Sequence, residues 1–326
     1  MLDKWIEKRL DEVLRGKLLN EEEALRFMEF EPDSFEAACT INAAMIISRK
    51  ASKNIGQVYA QIGLDKLPCP ANCDFCKFAA KQNTYSKNEQ IVPLEDIVRF
   101  AQAFDKGGAH LISLMSTAAY PFDQFCEVVQ AVRENISDNM PVMANIGDIT
   151  FEQAQKLKKL GVQSIYHAHR LEEGTITSIN PQSRIATLDA AVSAGLQIMT
   201  SVEPVQASSD PKEIVQRMFE VIAYKPYCSG IGKLTPARGT AMENTETISG
   251  ARVKQLACIM RLCAGESIPF GTGAGNVLWA DAGTSPRGKR PSEDFDILAY
   301  EVLHKIRTLK GEDWDVPRYP LKMLFD

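Results

Sequence analysis

Ile55-Gly56-Gln57-Val58-Tyr59-Ala60-Gln61-Ile62-Gly63-Leu64 runs directly into Asp65-Lys66-Leu67-Pro68-Cys69-Pro70-Ala71-Asn72-Cys73-Asp74-Phe75-Cys76-Lys77. The first half reads as a strand. The second places three cysteines at its exit, spaced C-x3-C-x2-C with an aromatic residue before the last. Three clustered thiolates select soft metals, with zinc or an iron–sulfur cluster as the common outcomes. A structural zinc site wants four tight ligands. No histidine precedes His110, and Cys39 and Cys126 lie 30 and 50 residues from the triplet. Three ligands on a four-iron cluster instead leave one iron open to an exogenous chelate.

Outward from this stretch, strand-like runs alternate with amphipathic helices. Further strand candidates are 111–115, 142–146, 164–167, 197–202, 230–234 and a weaker run near 268–271. Helices are expected over 94–104, 123–133, 151–160, 184–194, 211–224 and 250–264. Gly107-Gly108, Gly161 and Gly195 stand where helices must stop before the next strand. A β–α period of about 25–30 residues implies parallel strands with crossover helices. The fold class is therefore α/β, a TIM-type (β/α) barrel or partial barrel. Residues 1–54 read as helices, Asn20 capping one with an acidic first turn behind it. The expected organisation is a helical extension over 1–54 and a barrel with a C-terminal tail over 55–326. Chemistry in such barrels sits at the C-terminal ends of the strands, where the cysteine loop also falls.

Composition sets the class of partner. The 326 residues carry a net charge of −5, with 45% hydrophobic and 24% charged residues. That offers no basic field for nucleic acid or anionic lipid. No apolar run approaches the roughly 18 residues that span a bilayer, and no signal peptide is expected at the start. Eight cysteines without a secretory signal point to a reducing cytoplasm.

C-x3-C-x2-C with Phe75 before the third cysteine resembles the signature of radical S-adenosylmethionine (SAM) enzymes, and Gly63-Leu64-Asp65 through Cys76 is similar to the biotin synthase-related branch. The resemblance implies that Cys69, Cys73 and Cys76 hold a [4Fe–4S] cluster whose open iron binds the amino and carboxylate groups of SAM. An electron from the cluster then cleaves the sulfonium to methionine and a 5′-deoxyadenosyl radical. It also implies a small-molecule substrate and an electron donor such as flavodoxin or ferredoxin, in a monomer or homodimer.

On the same grounds Phe75 supplies the aromatic beside the cluster. Strand 2 ends in Met115-Ser116-Thr117, where family members hold the methionyl amine, which assigns Ser116 and Thr117 to the cofactor. The stretch Tyr166-His167-Ala168-His169-Arg170-Leu171-Glu172-Glu173 matches a strand end that touches ribose and methionine, which assigns His169, Arg170 and Glu172. Arg184 resembles an arginine that pairs with the SAM carboxylate, a task its fork suits; a helix-surface arginine is the alternative. Glu203 ends a further strand and points to the same mouth, or is a solvated loop carboxylate.

Biotin synthase holds a second, [2Fe–2S] cluster as sulfur donor on cysteines of successive strands and an arginine. The matching positions here are Leu114 or a neighbour, Met143 and Met199, and the arginine position near Ile268–Phe270 is apolar. Biotin synthesis by that route is therefore not expected. Cys39, Cys126, Cys228, Cys258 and Cys263 form no C-x2-C pair and read as small buried hydrophobes. Lys233 and Arg238, in a loop resembling K-x-G-T-x-L, suggest an anionic substrate, with Asn145 as a neutral contact; solvated loop cations are the alternative. Gly271-Thr272-Gly273-Ala274-Gly275-Asn276 lacks the context of a dinucleotide site, and the polar 279–287 stretch reads as turn or lid. The leading expectation is a radical SAM enzyme that abstracts hydrogen from a small anionic substrate. A sulfur-inserting biotin- or lipoyl-type synthase with a non-standard auxiliary cluster is the second, and a zinc-stabilised binding protein the third.

Overall fold

A computed structural model of the chain describes residues 2–82, 91–272, 279–281 and 295–318. Its contacts divide into two units: residues 57–198, 237–243 and 280–326, and residues 1–56, 199–236 and 244–279.

The first of these is a parallel wall laid down in chain order. β1 (Gln57–Gly63), β2 (Leu111–Met115), β3 (Val142–Asn145) and β4 (Ser164–Tyr166) pair as successive parallel neighbours. Between them run α4 (Leu94–Gly107), α5 (Phe122–Arg133) and α6 (Phe151–Lys159), and α7 (Pro181–Ser193) follows β4. Short parallel strands buried on the helix side need β-branched and aliphatic residues, and Ile112, Leu114, Val142 and Ile165 are fully buried. α4 ends at Gly108 in the left-handed region (φ 86°), as the Gly107-Gly108 pair predicts. Thr150 and Gln153 form a reciprocal capping box on α6, and Asn180 caps α7 with Pro181 in its first turn.

The expected C-terminal tail contains a helix, α10 (Phe295–Gly311), which packs on α4. Its approach is so close that a Cβ on Gly107 would meet the Ala299 carbonyl oxygen at 2.8 Å. Three residues of the expected turn or lid are strand, β8 (Trp279–Asp281); 273–278 and 282–290 lie outside the described residues.

The second unit repeats the parallel pattern with β5 (Gln197–Val205), β6 (Cys228–Lys233) and β7 (Phe270–Thr272). α8 (Pro211–Ala223) and α9 (Gly250–Ala264) connect them. The N-terminal helices α1 (Lys4–Leu14), α2 (Glu21–Met28) and α3 (Phe35–Ala51) belong here: α3 packs on α9, and α2 on α8 and α9. Gln255 of α9 donates its amide to the Phe27 and Phe30 carbonyls at 3.3 and 2.7 Å. The Asn20 cap is a full capping box with Glu23.

His110 fastens the base of the first unit. Its Nδ1 accepts the Val58 amide at 2.7 Å, and the ring also bonds the Pro317 backbone, so it must be neutral. Burial lowers its pKa from 6.5 to about 4. The unfolded chain takes up this proton below pH 6.5 and the folded chain only near 4, so the contribution is complete above 6.5 and lost as pH falls between them. The loss is at most about 3 kcal/mol. Urea unfolding of His110→Gln from pH 7 to 4 should show a shallower decline than wild type; parallel curves would refute this role.

Candidate active site

The cysteine loop leaves β1 at Leu64 and is folded by its own backbone. Cys69 and Phe78 close it, the Cys69 amide donating to the Phe78 carbonyl at 2.7 Å and the Ala80 amide to the Cys69 carbonyl at 2.9 Å. Inside, Cys76 N–H donates to Cys73 O at 3.0 Å and Asn72 N–H to Cys69 O at 3.3 Å. Asn72 sits at φ 46°, a left-handed turn that asparagine tolerates. Its side chain accepts the Lys81 amide at 3.1 Å, and Lys81 pairs with Asp74.

Two anchors hold this loop in place. The Asp65 carboxylate, 1% exposed, accepts the Thr117 amide at 2.8 Å, the Thr117 hydroxyl at 2.5 Å and the Leu67 amide at 2.9 Å. It thereby ties the exit of β1 to the exit of β2. On the other side, Asp74 N–H donates to Ile176 O and Ser178 N–H to Ala71 O, both at 2.8 Å, which ties the loop to the chain after β4.

The three cysteines share one apolar nest: Ala71, Cys73 and Ile179 form a buried cluster, with Cys69, Phe75 and Cys76 packed against it. None of the three is in a disulfide. Burial first, with the neighbouring Cys76 and Cys69 sulfurs adding, raises the Cys73 pKa to about 11 although Arg170 opposes it. Three thiolates cannot gather in this nest without a cation to bind them. Among the described residues, no three Cys, His, Asp or Glu side chains converge tightly enough to hold a single metal ion. A four-iron core, in which each cysteine takes a different iron, suits a donor set of three thiolates.

Behind the loop lies a chain of charges. Glu173, whose side chain is fully buried, accepts the Arg170 amide at 3.1 Å and the Thr177 hydroxyl at 2.7 Å. Arg184 Nε stands 3.5 Å from Glu173, and its NH1 donates to Asp148 at 2.9 Å. The same Asp148 oxygen lies 3.1 Å from His167 Nε2, and Ser183 donates to the other oxygen at 2.6 Å. Burial holds His167 near pKa 4, hence neutral. Against partial burial, the His167 hydrogen bond and the Arg184 charge bring Asp148 down to about 2.

Several expected site residues gather here. Phe75 lies in the cysteine nest, and Ser116 and Thr117 are buried just past β2. The Ser116 hydroxyl has no hydrogen-bond partner among the described residues, whereas Thr117 is engaged with Asp65. His169 and Arg170 are half-buried after β4, and Arg184 is in the first turn of α7, already paired with two carboxylates. Glu172 occupies a left-handed turn (φ 52°) and is half-buried, so it is the adjacent Glu173 that turns inward. Asn145 closes β3, and its carbonyl accepts the Ser116 amide at 2.9 Å. Arg238 is exposed.

In the other unit, β5 runs on to Val205, so Glu203 lies within the strand and not at its end; it accepts the Ser201 hydroxyl at 2.9 Å. Lys233 is exposed at the end of β6. Sequence reasoning missed Asp65, Asp148 and Glu173 as the groups that build the site. Asp65 and Glu173 stand inside the stretches that carry the resemblance without being singled out, and Asp148 lies in no motif.

No family model matches the chain. Among curated proteins, it is 24% identical over 270 residues to the biotin synthase of Acetivibrio thermocellus, covering 79% of this chain and 80% of that one. It is 25% identical over 294 residues to that of Pseudoalteromonas atlantica, covering 82% and 77%. Among solved structures, the [FeFe]-hydrogenase maturase HydG from Carboxydothermus hydrogenoformans superposes with a TM-score of 0.74 at 17% identity, over 95% of this chain and 79% of that one. Methylornithine synthase (PylB) superposes at 0.72 and 15% identity, over 95% and 97%. At these identities the solved structures show a likeness of fold. In sequence the chain is similar to biotin synthases, and its cysteine loop stands at the exit of the first strand.

Proposed function

We propose that this enzyme cleaves SAM reductively and uses the resulting radical to abstract hydrogen from a small, anionic substrate. The carrying observation is the twice-anchored cysteine nest at the exit of β1. When bound, cluster and SAM together supply a 5′-deoxyadenosyl radical.

The residues divide the remaining work. Cys69, Cys73 and Cys76 would each hold one iron. Ala71, Phe75 and Ile179 keep water from the nest, which a primary carbon radical requires. The unpartnered Ser116 hydroxyl at the β2 exit is suited to the methionyl amine, and His169 and Glu172 to the ribose. Arg184 already faces Asp148 and Glu173, so we assign it to holding the segment after β4 and not to the SAM carboxylate. Lys233 and Arg238, both exposed, supply the argument for an anionic substrate, with Asn145 as a neutral contact. An external one-electron donor of flavodoxin or ferredoxin type, in a reducing compartment, completes the scheme.

For sulfur insertion, Ser113, Met143 and Met199 offer no thiol, and Cys228, in register with Met199 on β6, is a fully buried cysteine. Met143 pairs in register with Ser113, not with Leu114, so the β2 position facing the same way is a serine. Met199, the remaining position that the resemblance matches, lies on β5.

Three outcomes are expected. After anaerobic reconstitution and reduction, wild type should release 5′-deoxyadenosine and methionine, and the Cys69→Ala, Cys73→Ala and Cys76→Ala variants should not; 5′-deoxyadenosine from the triple variant would end the proposal. Iron analysis should give about four irons per chain, while roughly six to eight would favour sulfur insertion. Glu173→Leu, which takes one carboxylate from the buried Arg184 and the half-buried Arg170, should cost up to about 3 kcal/mol in urea unfolding. Glu173→Gln should cost clearly less, and equal losses would mean that the charge plays no part.

A further inference from the structure

The last turn of α9 carries a buried arginine that no carboxylate answers. Arg261 is 4% exposed, and among the described residues it makes no ion pair. The titratable groups that act on it are the Cys228 and Cys258 thiols, and burial pushes the Cys228 pKa up, so that thiol stays neutral. Burial lowers the Arg261 pKa from 12.5 to about 10, which leaves the guanidinium charged at neutral pH. Its Nη1 donates to the Gly265 and Ile268 carbonyls at 2.9 and 2.6 Å, closing the end of α9 against the approach to β7. A guanidinium carries five N–H donors, and these bonds use two of them. Nε and Nη2 have no acceptor among the described residues. A buried cation without a counter-charge is among the costliest arrangements a fold can hold.

Arg261 lines a cavity of about 20 Å³. Ala257, Met260 and Ala264 line it from the same face of α9, at the spacing i, i+3, i+7, and Ile268 and Phe270 line it from the β7 side. Ser229 of β6 belongs to the same lining, and its hydroxyl has no hydrogen-bond partner among the described residues. The cavity is partly open, with the half-buried Gly271 in its wall, so a small solute can enter without unfolding. About 10–15 Å³ admits a water, so this space takes one small species and no organic acid. A water needs acceptors for its own hydrogens as well as donors. The lining side chains are apolar apart from Arg261 and Ser229. A halide needs donors alone, and it also balances the charge.

We propose that this cavity is a binding site for a small monovalent anion of chloride size, held by Nε and Nη2 of Arg261 where α9 meets β6 and β7. Bound there, the ion joins the last turn of the helix to the two strands and stabilises the second unit. The proposal does not depend on the reaction proposed above.

The test follows thermal unfolding of the full chain at constant ionic strength while sodium chloride replaces sodium gluconate, whose anion is too large for the cavity. The melting temperature should rise saturably, by about 3 °C once chloride is tenfold above its half-maximal concentration. Arg261→Met should abolish this dependence. Because Arg261 also holds two carbonyls, Ala257→Val serves as a second variant: it keeps the arginine, fills part of the cavity and should fold without the chloride dependence. In crystals soaked in sodium bromide, an anomalous peak should lie within hydrogen-bond reach of Arg261 Nε or Nη2. Coincident chloride and gluconate curves for wild type, a dependence that survives in Ala257→Val, or a water in place of bromide at Arg261 would each overturn the proposal.

Discussion

The Asp65 carboxylate is the constraint on which the site depends. A loop such as Asp65–Lys77 has no ladder hydrogen bonds to hold it, and ordering it costs conformational entropy at every residue. Asp65 meets that cost by placing a buried carboxylate where three donors converge, two of them from Thr117 just past the end of the neighbouring strand. Charge-assisted hydrogen bonds of this kind are among the strongest available to a protein. The exits of β1 and β2 are thereby locked together. The backbone bonds from Asp74 and Ser178 then fix the far side of the loop to the segment after β4. Three cysteines that are neighbours in sequence become a rigid ligand set because both ends of their loop are held by other strands.

The charge chain behind the loop solves a related problem. Arg170, Glu173, Arg184 and Asp148 alternate in sign, and His167 joins them as a neutral imidazole. A buried guanidinium needs a partner at close range or it destabilises the fold. Here each arginine faces a carboxylate, and the Thr177 and Ser183 hydroxyls fill remaining acceptor positions. The arrangement stiffens the strand exit and the start of α7 together. It also means that an arginine at a site rim is not by itself a ligand for a bound anion.

Much of this was legible in the sequence, because the signals are local. The strands β1–β4 and the helices between them fall within a few residues of the positions that periodicity and terminal glycines indicate. The cysteine triplet states its own chemistry. What stayed hidden depends on distant contacts or on a shift of a single residue. α10 draws its stability from docking against Gly107, more than 180 residues away, so the local pattern of the C-terminal region did not announce it. Glu172 and Glu173 are chemically identical, and only the left-handed turn at Glu172 decides which of them is buried. Likewise Leu114 and Ser113 differ by one place, and in a strand one place exchanges one face for the other. Register supplied that answer: the polar neighbour faces with Met143.

The central claim is that the Cys69–Cys73–Cys76 loop holds a four-iron cluster with one iron open to SAM. Electron paramagnetic resonance of the reduced, anaerobically reconstituted protein, recorded with and without SAM, tests it most directly. The account predicts one four-iron signal that changes shape when SAM is added and is lost in Cys73→Ala. A signal that SAM leaves unchanged, or one that survives in Cys73→Ala, would contradict it.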